Sequence, residues 1–502
     1  MSGTFMSTGA IPVNIGEECV PPKAKKTGKV FHLMVTGDFS GRGHRGIGDL
    51  SGLPQRKIHP VDRDGLDTLF ARLNVCLKSP LSEDPLKFSE LDQLHPDYLY
   101  ENLSIFGRFR ALKKKLGNKE TFAEAAKEMV GWGAQRTEGN SHPHLVSENK
   151  EDQPISLLEG ILDGANRAAS SETFDVQALV REIVAPYVQD APNAEQKSLQ
   201  KAVEDAAANL LRKLMHHRDF QGIESAWRGL DMLLRRIEDD ASVRVYVLDV
   251  TREELALMFR QSEKGWADSE LASLLSVGRQ SAGLPEFDAV LADYLIDASE
   301  EDLLLLRGLA EVIAGNGARL LGGVFPRVGG CQDLVRYPDT ADWQDPRSEE
   351  VKRLWEQFRA SAASRLTALV CPRYLQRLPY GRKTASTQSL SFEELPPLQA
   401  HPYYLWGNGA WVLAVSLLQR YVREGEAFNN STLTEVDRMP LHVSEDSEGD
   451  PTVTPCAEVL MTDKTAQALS LEGVSLIRSV RNGDRIQLPG YFSAHKQRAP
   501  LP

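Results

Sequence analysis

Residues 286–325 constrain the fold more than any other part of this chain. Two largely apolar runs, EFDAVLADYLI and ARLLGGVF, flank a helix-forming segment at 297–314. Strands that are apolar on both faces need cover from both sides, and joining two of them through a helix gives a parallel βαβ unit. The helix opens on Ser299, Glu300, Glu301 and Asp302, which suit the positive end of its dipole. The alternation continues downstream. A helix is expected at 347–361, a strand at LTALVCPRYL, a helix at 403–423, and a last strand–helix–strand through AEVLMTDKTAQALSLEGVSLIRSV. Upstream, SVRVYVLDV alternates Val243, Val245 and Val247 on one face and predicts a strand. Residues 193–217 set Leu199, Val203, Ala206, Leu210 and Leu214 in a helical stripe, and 219–234 form a second helix.

The N-terminal part has a different character. Residues 1–28, rich in Gly, Pro and Lys, read as an arm. Residues 29–36 (KVFHLMVT) predict a strand, ended by Gly37 and a loop carrying Asp38, Ser40, Gly41, Gly43 and Gly46. Leu66, Leu69, Phe70 and Leu73 share one face of a helix at 65–73. LKFSELDQLHPDYLYENL predicts a short strand, a turn at His95-Pro96, and a helix running on through 108–116. Residues 131–154 are polar, without periodicity, and read as a linker. The expected organisation of the 502 residues is an arm at 1–28, a domain at 29–130, the linker at 131–154, and a region at 155–502. That last region is helical over 155–240 and α/β over 241–502. The class is α/β with mixed α+β character: two domains with mixed sheets flanked by helices.

The formal charge of −12 repels free nucleic acid on average, although Arg108, Arg110, Lys113, Lys114 and Lys115 gather locally and read as a solvated helix face. Cys19, Cys76, Cys331, Cys371 and Cys456 are scattered, with no CxxC, so neither a disulfide framework nor a zinc knuckle is expected. No stretch reaches the roughly 18 apolar residues of a membrane helix, and the N-terminus has no signal-like apolar run. A cytoplasmic protein without membrane insertion is expected.

Gly41, Gly43 and Gly46 reproduce GxGxxG after a strand, but no Gly-Lys-Ser/Thr follows and no helix clearly begins there. A surface turn is the expectation, with a phosphate-ligand enzyme as the alternative of another class. His142 and His144 lie in the linker. His216 and His217 are adjacent and point about 100° apart on a helix, a poor metal geometry. No HExxH or GxSxG occurs. Catalytic residues, metal and cofactor are all expected to be none.

Two sets of collinear motifs carry a resemblance. VTGDFSGR (35–42), VDRDGLDTLFARL (61–73) and LKFSELDQLHPDYL (86–99) resemble the small sheath subunit of type VI secretion. HHRDFQGIESAWRGLDMLL (216–234), YVLDVTREEL (246–255), ADYLID (292–297), VCPRYLQRLPYG (370–381), YLWGNGAW (404–411), AEVLMTD (457–463) and GYFSAHKQ (490–497) are similar to the large subunit. The chain therefore looks like both subunits fused. It departs from the family over 421–451, and the C-terminal helical part of the small subunit is reduced to 122–132.

The resemblance implies a contractile tube around Hcp-type inner rings, with subunits docking by strand addition at sheet edges. Its implied partners are other sheath subunits, the inner-tube protein, baseplate components and a ClpV-type AAA+ ATPase. A cap, collar or baseplate adaptor that does not polymerise is the alternative. The assembly candidates are Val30, Leu33, Val35, Gly37, Asp38, Phe39 and Ser40 in the first region. In the second they are Trp227, Arg228, Val243, Val245, Val247, Tyr404, Trp406, Glu458 and Leu460, with a strand expected at 457–461. Ile155, Leu158 and Ile161 resemble the helix that the recycling ATPase engages.

Overall fold

The computed structural model describes residues 29–129 and 196–501, apart from 47, 49, 79–84, 238–239, 263–264, 397–399, 426–432 and 446–447. Its centre is one seven-stranded sheet. In chain order the strands are β1 (Phe31–Gly37), β2 (Ile58–Val61), β3 (Val243–Asp249), β4 (Ala289–Ile296), β5 (Arg319–Val324), β6 (Thr367–Cys371) and β7 (Ser475–Leu476). Their spatial order is β7-β6-β5-β4-β1-β3-β2. All neighbours run parallel except β2, which is antiparallel to β3.

The expected βαβ unit is present as β4, α7 (Glu300–Gly315) and β5. Ser299 caps α7 by accepting from the Asp302 N–H, and three acidic residues fill its first turn. The other principal helices are α1 (Leu66–Arg72), α2 (Pro96–Asn102), α3 (Gly107–Gly117), α4 (Gln196–Met215), α5 (Arg218–Ile237), α6 (Arg252–Gln261), α8 (Glu349–Ala360), α9 (Ala410–Glu424) and α10 (Asp463–Leu471).

Alternation along the strands sorts the core into two layers. Leu33 and Val35 of β1, Val243, Val245 and Val247 of β3, and Leu291 of β4 face one side. There they pack with α4, α5, α9 and the N-terminal helices. Met34, Tyr246, Leu248, Val290 and Leu320 face the other side, against α6, α7 and α8. Both faces are covered, which is why these strands are apolar on both.

Sheet membership differs from expectation in one respect. The sequence places the strands at 29–36 and 243–247 in separate domains, but β1 lies inside the sheet of the second region. It pairs with β3 from Phe31↔Val243 to Gly37↔Asp249, and with β4 from Leu33↔Ala289 to Thr36↔Ala292. Leu33 and Val35 are fully buried. Burying each such side chain stabilises by about 1.5–3 kcal/mol, and that area appears only when the two regions meet.

Smaller differences have local causes. The helix expected to run from 96 through 116 breaks at Leu103, whose ψ of 137° is extended, and resumes as α3. The strand expected at 457–461 reduces to one bridge, Ala457 with Tyr374. The helix expected from 403 begins at Ala410 because Trp406 and Gly407 pair antiparallel with Leu375 and Tyr374 and take the preceding residues into an extended conformation.

Helix α5 packs on α9 through Gly229, where a Cβ would fall 2.4 Å from Trp411 Cε2. Trp411 is itself fully buried. Gly229→Ala is expected to force the helices apart and destabilise by about 1–3 kcal/mol. Urea unfolding checks this, and an unchanged midpoint would contradict the close approach.

Candidate functional site

The strand order reverses around β1, with β3 on one side and β4 on the other. In open α/β sheets, the crevice beyond the carboxyl ends at such a point is where ligands bind. Here the turn following β1 fills it. Asp249, at the end of β3, receives the Phe39 N–H (2.9 Å) and Ser40 N–H (3.0 Å) on Oδ1, and the Ser40 hydroxyl (2.7 Å) on Oδ2. The Trp227 indole of α5 donates to the Phe39 carbonyl at 2.8 Å, and the Phe39 and Trp227 rings meet edge-on at 5.4 Å. Asp38 accepts from the Arg42 and Gly43 N–H groups, both at 2.9 Å. A Cβ on Gly43 would lie within 2.9 Å of both the Asp38 and Glu253 carboxylates. Glycine therefore lets the turn close over two acids.

Glu254 clamps the next part of the loop. Its carboxylate receives Arg42 at 2.6 and 2.7 Å and Arg56 at 2.8 and 2.9 Å. It also completes the capping box of α6 with Thr251. Burial opposes its ionisation, but Arg56, the Thr251 N–H and Arg42 outweigh burial and hold its carboxyl below the ordinary value. Burial and then the neighbouring Asp249 charge push Asp38 up to about 6, against the N–H groups donated to it.

These contacts decide against the phosphate-loop reading of Gly41, Gly43 and Gly46. Four backbone N–H groups of the turn, those of Phe39, Ser40, Arg42 and Gly43, already bind carboxylates. Asp38, Asp249, Glu253 and Glu254 would repel a phosphate.

Two further joints connect the regions. Asp97 in the first turn of α2 accepts from the Gln388 N–H (3.0 Å) and Ser389 N–H (2.9 Å), and the His95 and Tyr380 rings meet at 4.8 Å. Behind them lies a buried ion cluster. Arg377 binds Glu224 at 2.7 Å and Glu394 at 2.7 Å, Arg228 binds Glu224 at 2.7 Å, and Tyr380 N–H donates to Glu394 at 2.8 Å. Burial opposes ionisation of Glu394, but Arg377 foremost, then His216 and the Tyr380 N–H, draw its carboxyl down to about 2.

The structure thus brings Leu33, Val35, Gly37, Asp38, Phe39, Ser40, Trp227, Val243, Val245 and Val247 together in one seam, within a single chain. Arg228 belongs to the Arg377 cluster. Val30 precedes β1 and is half-buried. Tyr404 is elsewhere, its hydroxyl 2.7 Å from His442 Nδ1 and 3.0 Å from Thr454 Oγ1. The Trp406 indole donates to the His401 carbonyl, Glu458 pairs with Arg373, and Leu460 is 50% exposed. Ile155, Leu158, Ile161, His142, His144 and Cys19 lie outside the described residues. His216 meets the Tyr403 ring edge-on at 4.9 Å and approaches Glu394 at 3.7 Å, while His217 faces Asp219. No group of three or more potential metal ligands occurs among the described residues. The four described cysteines are free and buried.

Asp249, Glu254, Arg56, Arg377, Glu224 and Glu394 received no role from the sequence. Asp249 and Arg377 lie inside the motifs YVLDVTREEL and VCPRYLQRLPYG, but nothing local shows which partner an acidic or basic residue will meet. Asp293 of β4 is another such residue. Burial pushes it up from 3.8 to about 6, against the Trp411 and Asn408 side chains beside it.

The fold is thus a seven-stranded, almost wholly parallel sheet with helices on both faces, and the turn after β1 occupies its switch point. A family model described as the EvpB/VC_A0108 tail sheath N-terminal domain (VipB) matches residues 198–495, and the chain belongs to that sheath family. It is similar to the type VI secretion system sheath protein TssC1 of Pseudomonas aeruginosa, at 28% identity over 374 residues, covering 72% of this chain and 74% of that protein.

Two outcomes are expected. Asp249→Ala leaves the Phe39 and Ser40 N–H groups unpaired and should cost roughly 2–4 kcal/mol in equilibrium unfolding. The Asp293 carboxyl titrates near 3.8 when unfolded and about 6 when folded, so its contribution is fully present below about 3.8 and is lost as pH rises through 6. That loss is about 3 kcal/mol at most. Asp293→Asn should therefore gain stability on the wild type between pH 4 and pH 7, and an unchanged difference between the two proteins would refute the assignment.

Proposed function

We propose that this chain is a fused sheath protomer in one polypeptide, with residues 29–130 acting as the small subunit and 155–502 as the large subunit. It polymerises around an inner tube of Hcp-type rings and drives the tube outward by contraction, without catalysis of its own. One observation carries the fusion. The family match begins at residue 198, yet β1, at 31–37, is inserted between β3 and β4 of the matched region. The matched part alone would have a gap in its sheet at a position that a small subunit would fill. Baseplate components, the standard sheath subunits and a ClpV-type ATPase engaging Ile155, Leu158 and Ile161 are the partners this reading implies, in the cytoplasm.

A second reading has an observation behind it. Both edges of the central sheet are short: β2 has four residues including Pro60, and β7 has two. Proline and short length blunt an edge against strand addition. A cap or baseplate adaptor that does not polymerise would suit such edges.

Splitting the chain within 131–154 and co-expressing the halves should yield a stable one-to-one complex, while 155–502 alone should aggregate. A soluble, cooperatively folding 155–502 would refute the shared sheet. Negative-stain microscopy of the intact chain then separates the readings. Tubes, alone or with an inner-tube protein, support the protomer. Discrete particles that bind only at the ends of tubes built from standard subunits support the adaptor.

A further inference from the structure

The strands His442–Glu445 and Pro451–Thr454 pair antiparallel, and among the described residues they pair with no other strand. A two-stranded ribbon of this size is marginal in water without further packing. Much of it faces solvent: Val443, Glu445, Pro451 and Thr452 are exposed. Its base is fixed by Leu441, which packs against the main core, and by Cys456, which is fully buried. Just above this base the Tyr404 hydroxyl sits 2.7 Å from His442 Nδ1 and 3.0 Å from Thr454 Oγ1. It thereby bridges His442↔Thr454, the first pair of the ladder. The His442 and Tyr404 rings also meet edge-on at 5.6 Å. Further out, Glu445 pairs with Lys383 at 2.8 Å. Both of those side chains are exposed, so that pair contributes little.

The joint suits a neutral imidazole. His442 is only 7% exposed. A hydroxyl serves either neutral tautomer, accepting from an Nδ1–H or donating to a bare Nδ1. It supplies no charge to offset a cation. The carboxylates of the surrounding elements are engaged elsewhere, Glu445 by Lys383, and Glu458 by Arg373 and His401. Burial, with no charged side chain offsetting it, pushes His442 below 6.5. An imidazolium held here would be a buried charge without a partner, which is costly.

We propose that this joint is a proton-operated latch: neutral His442 holds the hairpin against Tyr404, and protonation releases it. Release uncovers Tyr404 and the small apolar cluster it forms with Leu375 and Trp406. The closed hairpin disfavours the proton. Its stabilisation is therefore whole above 6.5, the ordinary value that His442 regains when open, and is lost as pH falls through the lower closed-state value. The latch needs no second copy of the chain and works the same way in a protomer or an adaptor.

Amide hydrogen–deuterium exchange of the full-length protein at about pH 5 and about pH 7.5, corrected for the intrinsic effect of pH, tests the latch. Protection of the amides at 443–445 and 452–454 should fall on acidification, by at most about tenfold for each pH unit below 6.5. Strands β3 and β4 should keep theirs. His442→Asn places a polar group near Tyr404 but takes up no proton, so its hairpin should show no pH response. Tyr404→Phe, lacking the hydroxyl, should lower hairpin protection at the higher pH. Exchange of the imidazole C2 proton, followed by mass spectrometry in the wild type, reports the His442 titration without any substitution and should place it below 6.5. His401 is the competing group, because burial also pushes it down and its ring lies 5.1 Å from Trp406. Wild-type protection that ignores pH would overturn the latch. So would His442 titrating at or above 6.5, a His442→Asn protein that still opens in acid, or a Tyr404→Phe protein protected like the wild type.

Discussion

The carboxylate of Asp249 is the point on which the architecture turns. It ends β3 and receives two N–H groups and a hydroxyl from the turn that ends β1. A buried carboxylate is tolerated only when its lone pairs are filled. A buried turn likewise needs acceptors for its amides. Each therefore requires the other, although 209 or more residues separate them. Placing this turn puts β1 in register against β3, and β4 then closes on its other side. The two faces of the sheet, and the helices that cover them, follow from that insertion.

The charged clusters around this seam act together. Glu254 holds two arginines of the N-terminal region, and Arg377 holds two glutamates and stacks 4.4 Å above Tyr380. Buried ion pairs of this kind add modest net stability but make one arrangement far better than its neighbours, since breaking one strands a charge. A protein that transmits force through subunit packing benefits from bodies that do not deform internally. At the switch point, Asp249 and Glu254 occupy the amides of the turn after β1 and the Arg42 and Arg56 guanidinium groups.

Much of this was legible in the residues. The βαβ unit at 286–325, the helix stripe from Leu199 to Leu214, the alternation of Val243, Val245 and Val247, and the acidic start of α7 all rest on local periodicity and capping chemistry. These act over a few residues and survive in isolation as patterns. The motifs VTGDFSGR and YVLDVTREEL also contained the turn and its acceptor. They did not reveal that the two touch, because hydrogen-bond pairing across some 200 residues leaves no trace in spacing. The break at Leu103 and the loss of the strand at 457–461 were similarly invisible, since both reflect packing of neighbours.

Left to itself, the sequence determined the element types, the apolar faces, the collinear sheath motifs and the acidic overall charge, since each follows from the order of side chains along the backbone. Only the tertiary structure decided that the two regions share one sheet. A strand buried on both faces reads alike whether its neighbours come from its own region or another, and the choice is made by which surfaces leave the fewest amides, carboxylates and apolar faces unpaired.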